Sequence, residues 1–240
     1  MNHNLDNYIL KSSFGWSWRT WSRAFLGLEK ELLKNILEND GNILEVGPSE
    51  HSQVSLIFLN AKKIDLGVYK KNIKRQFLIN TLEKKFINDP RIKTIDLDMR
   101  ELEGKYNLII MKSILGGIFR DGESSIDDVL NLIKKIVDNN LFEDGYLISL
   151  DNGKGFLHYF RDLYGAKKNK WRFFKQESLK TKYLIAQNNF GFLSSFSLSL
   201  RLPVVGNILE NFLHIFDILF HKFFSKKISN SSVIVSVYKK

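Results

Sequence analysis

Residues 43–53, ILEVGPSEHSQ, hold the first side chains in this sequence that could grip a small molecule. Ile43-Leu44-Glu45-Val46 reads as a buried strand, and Gln53 to Leu59 can begin a helix, with Gly47 at the entry. A glycine there lets the backbone come close to a ligand at a helix N-terminus. A dinucleotide fingerprint requires further glycines, and Pro48 and Glu50 stand in their place. Asp65 lies twenty residues beyond Glu45, the spacing at which an acid ending a second strand accepts from two ribose hydroxyls. The plainer reading of Asp65 is a surface carboxylate in a loop. After the third strand, Asp98-Met99-Arg100-Glu101-Leu102 offers a carboxylate to the exocyclic amine of a purine, and Asp96 competes with Asp98 for that role.

Acid–base chemistry has its own candidates. Asp151 ends a fifth strand and His158 follows it by seven residues, so either could accept a proton. His158 has the intrinsic pKa nearer neutrality, and its plain alternative is a helix-face histidine in the Phe156 to Tyr159 aromatic cluster. Lys112 could bind a phosphate or carboxylate, orient an acceptor oxygen, or form a salt bridge at a strand end. His51 lies close to the Gly47 turn, where it could touch a ligand.

These residues need a scaffold, and the hydrophobic pattern predicts one. A helix is expected from Trp21 to about Asn39, stopped by Asn39-Asp40-Gly41. Strands are expected at Asn42 to Gly47, Lys62 to Leu66, Ile92 to Leu97, Tyr106 to Met111 and Tyr146 to Leu150. Helices are expected between them at about Gln53 to Leu59, Lys71 to Lys85 and Ile126 to Asn139. The alternation implies βαβ units and a parallel sheet covered by helices on both faces, with ligands at the carboxyl ends of its strands. Phe190 to Leu200 reads as an extended run and Val233 to Tyr238 as a final strand. Val204 to Phe224 is rich in Leu, Ile and Phe, but Glu210, Asn211, His214, Asp217 and His221 form a polar stripe that argues against a membrane span. Such a helix suits packing on the domain, a dimer contact or an interfacial anchor. One domain over 1–240 is expected, with an aromatic helical extension at 1–40, a ligand-binding core at 41–152 and a substrate-side region at 153–240.

With 240 residues and 44% hydrophobic content, the chain can bury a globular core. The lack of cysteine excludes disulfides, thiolate metal sites and cysteine nucleophiles, and the five histidines form no close-spaced metal motif. The first residues carry no signal-peptide pattern, so a cytoplasmic protein is expected. A formal charge of +10 favours polyanionic partners: nucleic acid, an anionic membrane face, or a phosphorylated or acidic substrate. Lys167-Lys168-Asn169-Lys170-Trp171-Arg172 is either a contact surface or a basic loop. Trp16, Trp18 and Trp21, interleaved with Arg19 and Arg23, could form a lid, stack on sugar or bases, or anchor the N-terminal segment.

Taken together, Glu45-Val46-Gly47, the acid at Asp65 and the acid after the third strand resemble the class I S-adenosylmethionine-dependent methyltransferases. YNLIIMKSILGGIFR, from Tyr106 to Arg120, resembles the fourth-strand segment of such enzymes from bacterial lipopolysaccharide and capsule biosynthesis clusters. Trp16-Ser17-Trp18-Arg19 and Leu147-Ile148-Ser149-Leu150-Asp151-Asn152 fit that group too. The resemblance implies a Rossmann-like doubly wound α/β sheet, mostly parallel with an antiparallel C-terminal strand, and S-adenosylmethionine as cofactor. It places Glu45, Gly47, Ser49, His51, Asp65, Asp98, Met99, Lys112 and Ser113 around that cofactor, and Asp151, His158 and Lys112 at the chemistry. Pro48-Ser49-Glu50-His51 departs from the small residues usual in the family's loop, and Asn107 stands where aspartate is common. Lys112-Ser113 occupies the place of the Asn/Asp-Pro-Pro-aromatic motif of amino-methylating relatives, which favours an oxygen acceptor. The implied substrate is a sugar, nucleotide-sugar or lipid-linked glycan, with peripheral contact to an anionic membrane and a homodimer as further expectations. An RNA methyltransferase and a non-catalytic binding module are the competing readings.

Overall fold

The computed structural model describes residues 24–49, 52, 57–154, 171–191, 209, 212–219 and 233–240. Its chain order is α1 (Lys30–Leu37), β1 (Asn42–Val46), β2 (Lys63–Tyr69), α2 (Arg75–Lys85), β3 (Ile92–Leu97), β4 (Tyr106–Lys112), α3 (Leu115–Ile118), α4 (Ile126–Asn140), β5 (Leu141–Asn152), β6 (Leu184–Phe190), a helix α5 (212–219) and β7 (Val233–Lys239). The strands form one sheet in the order β3-β2-β1-β4-β5-β7-β6. β1 to β5 run parallel, and β7 is antiparallel to both β5 and β6. The expected α/β architecture with an antiparallel C-terminal strand is therefore present.

Side-chain alternation sends the strands' apolar residues to two cores. Leu44, Val46, Ile109, Met111 and Leu147 pack with Val129, Leu132, Ile133, Ile136 and Val137 of α4. Ile43, Ile64, Leu66, Leu108 and Ile148 pack on the opposite face with Ile36 of α1 and Leu82 of α2. The helical spacing of α4's apolar residues explains its stripe, and a reciprocal capping box between Ser125 and Asp128 fixes its start. Asn140 ends α4 by donating Nδ2 to the carbonyls of Leu102 and Gly104, both at 3.0 Å.

Three expected boundaries move. β2 continues to Tyr69 instead of stopping near Leu66, because its last residues pair with β3 as far as Tyr69↔Leu97. β5 begins directly after α4, and its pairing with β4 shifts register between Tyr106 and Leu108, near Asp144 at φ 62°. β6 ends at Phe190, where the sequence pattern predicts the start of an extended run; residues 192–200 of that run lie outside the described residues.

The winding direction reverses between β1 and β4. From β1 the chain steps outward through β2 to β3, then returns to place β4 and β5 on β1's other side. In an open α/β sheet the crevice beyond the carboxyl ends at such a reversal is where ligands bind.

Candidate active site

Gly47 follows β1 immediately at that reversal, with φ 66° and its amide donating to the Gly67 carbonyl at 3.0 Å. This left-handed conformation is strained for residues with a Cβ. A Cβ there would also lie 2.4 Å from Ile114 Cδ1, so that side chain would have to move. The turn then closes through the Ser52 amide, which donates to the Ser49 carbonyl at 2.9 Å, with Ser49 exposed and Ser52 buried.

Beneath the turn lies an ionic cluster. The Ser52 hydroxyl donates to Glu45 Oε2, and Lys85 Nζ donates to the Ser52 carbonyl at 2.5 Å. Lys112 at the end of β4 shares Glu45's face of the sheet, since Glu45 pairs with Ile110 and side chains alternate. Burial pushes the Glu45 carboxyl up to about 7, while the Ser52 hydroxyl and the Lys112 and Lys85 ammonium groups pull the other way. Burial draws Lys112 down to about 8, partly offset by Glu45, and lowers Lys85 as well. The cluster thus holds an acid and a base near neutral pH.

Ser113 turns the chain out of β4 at φ 58°, a conformation costing a non-glycine residue about 1–3 kcal/mol. Its amide donates to the Leu150 carbonyl at 2.7 Å, and its hydroxyl accepts from Asn152 Nδ2 at 2.6 Å. These bonds join the ends of β4 and β5 beside Gly47's strand. At the neighbouring strand ends stand Tyr69, 45% exposed, and Asp98, whose carboxylate accepts from the Arg100 amide at 3.1 Å. Met99 behind Asp98 is buried in the α4 core.

Two expected site residues are buried away from an open site. Asp65 is the third residue of β2 and is only 2% exposed; its Oδ2 accepts from Lys63 Nζ at 2.8 Å and the Tyr106 hydroxyl at 3.2 Å. Four residues of strand, about 13 Å, separate it from the carboxyl end, so it cannot reach a ligand there. Tyr69 occupies the place expected for that acid. Asp151 does close β5, but its carboxyl is 1% exposed, taking the Ser149 hydroxyl on Oδ2 while Oδ1 is buried without a hydrogen-bond partner. Burial pushes it up to about 7 against the Ser149 hydroxyl and the Leu115 amide. An enclosed carboxyl anchoring this strand end is not an open base.

Asp96 is also distinguished from Asp98: it pairs with Arg75 of α2, leaving Asp98 as the acid that directly follows β3. Asn107 does not impair the start of β4, because its Oδ1 accepts from the Asn42 amide at 2.9 Å as a carboxylate oxygen would. The double glycine serves packing: a Cβ on Gly116 would lie 2.3 Å from the Arg172 carbonyl, and one on Gly117 would lie 2.8 Å from the Trp171 ring. Arg172 at the end of the basic stretch clamps this approach, with Nε donating to the Phe119 carbonyl at 2.8 Å. His51, His158, Trp16, Trp18, Trp21 and Lys167 to Lys170 lie outside the described residues. Sequence reasoning missed Ser52, Lys85, Tyr69 and Asn152 as site residues. Ser52 stood in the Gly47 stretch itself, whereas only strand pairing brings Tyr69 to the rim.

No protein-family model matches the sequence, and no curated protein matches it. Solved structures do. Coclaurine N-methyltransferase bound to N-methylheliamine and SAH is similar with a TM-score of 0.55 at 11% identity, over 86% of this chain and 68% of that one. A putative sarcosine dimethylglycine methyltransferase from Galdieria sulphuraria is similar with a TM-score of 0.53 at 10% identity, over 88% and 82%. The mitomycin 7-O-methyltransferase MmcR is similar with a TM-score of 0.52 at 13% identity, over 85% and 50%. At these identities the likeness is one of fold, and that fold is the Rossmann-like fold of class I methyltransferases.

Proposed function

We propose that this protein is an S-adenosylmethionine-dependent methyltransferase acting on a hydroxyl oxygen of a sugar, nucleotide-sugar or lipid-linked glycan, in bacterial surface polysaccharide synthesis. The observation that carries the reading is the Gly47 turn at the reversal between β1 and β4, flanked by Lys112 and Ser113. The donor set fits a nucleoside bearing an amino-acid tail. Gly47 and Ser49 would lie along the tail, with Glu45 and Lys112 supplying opposite charges nearby, and Asp98 would meet the adenine amine. The β2 end offers the Tyr69 hydroxyl to the ribose in place of a carboxylate.

When bound, S-adenosylmethionine supplies a methyl group already activated by its sulfonium. What remains for the protein is to align the acceptor oxygen and exclude water. Lys112, at the end of β4, would align that oxygen. With its pKa drawn down to about 8, it alternates near neutral pH between an ammonium that orients an oxygen and an amine that can take its proton. Ser113, held by Asn152, fixes the turn beside it. The glycan acceptor is supported by the resemblance of Tyr106 to Arg120 to surface-polysaccharide methyltransferases, and by the basic charge, which suits phosphorylated carriers and acidic sugars.

Tyr69 favours a second reading, a methyltransferase-like binding module, because one hydroxyl cannot replace the bidentate grip of an acid. Calorimetric titration with S-adenosylmethionine and S-adenosylhomocysteine, with ATP and NAD as controls, tests the cofactor. Selective binding followed by methyl acceptance into nucleotide sugars or glycan extracts is the expected result. Selective binding without any acceptor favours the module, and no binding of either ligand reduces the enzyme reading to a statement of fold and also moves the module forward.

A further inference from the structure

α5 sits on the domain in the orientation opposite to that expected from its composition. His214 and Asp217 point inward, 7% and 0% exposed, with the His214 ring 5.5 Å from that of Phe190. Phe212, Ile215, Phe216 and Leu219 point outward, at 57%, 58%, 42% and 48% exposure. Their spacing of three and four residues makes them one continuous stripe. Phe212 and Phe216 meet edge to face with ring centroids 5.0 Å apart, so the stripe is an ordered apolar surface. Exposed large apolar side chains grouped in this way mark a docking surface.

Charge identifies what docks there. From Ile218 to Lys240 the sequence contains no Asp or Glu, and Lys222, Lys226 and Lys227 follow closely after the stripe. The whole chain carries +10. A stripe of Phe, Ile and Leu followed in the sequence by lysines, on a chain of this charge, suits a helix lying in the plane of an anionic bilayer with its apolar side sunk to the acyl boundary. A second copy fits less well, because a two-fold contact through this face brings together two chains that each carry +10. Among the described residues no helix is long and apolar enough to cross a membrane.

We propose that α5 docks this protein on an anionic lipid surface through Phe212, Ile215, Phe216 and Leu219. The surface does not depend on the cofactor reading, since none of these residues belongs to the elements around Gly47 and Lys112.

Flotation of the full chain with vesicles of phosphatidylcholine alone, or mixed with phosphatidylglycerol, tests it. Binding is expected to the mixed vesicles and to weaken with added salt. The double variant Ile215→Ser/Phe216→Ser should lower the partition coefficient about a hundredfold, roughly tenfold for each side chain withdrawn from the bilayer. Both residues face outward, so circular dichroism should match that of the parent protein. Lys226→Gln/Lys227→Gln, which leaves α5 untouched, should weaken binding to the mixed vesicles alone. The proposal is overturned by equal binding of the Ile215/Phe216 variant, by failure to bind the mixed vesicles, or by equal binding to both vesicle types. Sedimentation showing a dimer that the Ile215/Phe216 variant dissociates would also overturn it, assigning the face to a second copy.

Discussion

The Tyr106 hydroxyl donates to Asp65 Oδ2 at 3.2 Å in the interior, tying the first residue of β4 to the third of β2 across forty-one residues of sequence. Burial, followed by the adjacent Asp65 carboxylate, pushes the Tyr106 phenol up, so it stays a neutral donor. Asp65 is therefore a structural acid, and its replacement separates folding from ligand binding.

Asp65→Ala leaves the buried Tyr106 hydroxyl unsatisfied and should cost about 1–3 kcal/mol of stability. Affinity for S-adenosylhomocysteine should stay within a few-fold of the parent. Denaturant unfolding and calorimetry read the two quantities, and a stable variant with lost affinity would return Asp65 to the ligand.

Asp151 and Glu45 are both raised to about 7, from ordinary values of 3.8 and 4.5. Each binds its proton more tightly folded than unfolded, so ionisation opposes folding and stability should fall as pH rises through that window, levelling above about 7. Asp151→Asn keeps an acceptor for Ser149 without the buried charge. It should gain on the order of a few kcal/mol relative to the parent at pH 8, and little at pH 4, in thermal melts. A variant whose pH dependence matches the parent would refute the buried-charge account.

The paired glycines of α3 should differ in tolerance. Gly116→Ala forces a Cβ against the Arg172 carbonyl, whose residue also donates its amide to the Gly116 carbonyl at 3.0 Å. Backbone must shift, at a cost of about 1–3 kcal/mol. Gly117→Ala first meets the Trp171 ring, a side chain that is 36% exposed, so its loss should be smaller. Equal losses in chemical denaturation would mean that the indole is held as firmly as the backbone.

If Lys112 takes the acceptor's proton, the rate of methyl transfer should climb with pH toward about 8, as the ammonium becomes an amine. Lys112→Met should remove that limb and lower kcat by about 10²–10⁴, while also weakening cofactor binding through the charge lost beside the tail. A parent profile that is flat from pH 6 to 9 would exclude the amine from the proton transfer.

Periodicity made α4 and β4 legible, because the capping box of Ser125 and Asp128 and the alternation from Tyr106 to Lys112 are local properties. Gly47 was legible too, since a glycine directly after an apolar strand marks a tight turn, and the left-handed φ it adopts there favours glycine. Asp65 was misplaced at a boundary, since it resembled a strand-end acid only while β2 was taken to stop near Leu66, whereas Asp151 stands near the end of β5 as expected and is set apart by burial.

The sequence by itself therefore determined the alternating α/β order, the turn at Gly47 and the acid after β3, all set by neighbours within a few residues. Tertiary structure alone decided that Tyr69 reaches the rim, that Asp151 is enclosed, that Gly116 and Gly117 admit Trp171, and that α5 turns its apolar stripe outward. Where a strand ends depends on the strand beside it, and which face of a helix is buried depends on the surface beneath it. Those partners are distant in the chain, so local patterning does not encode them.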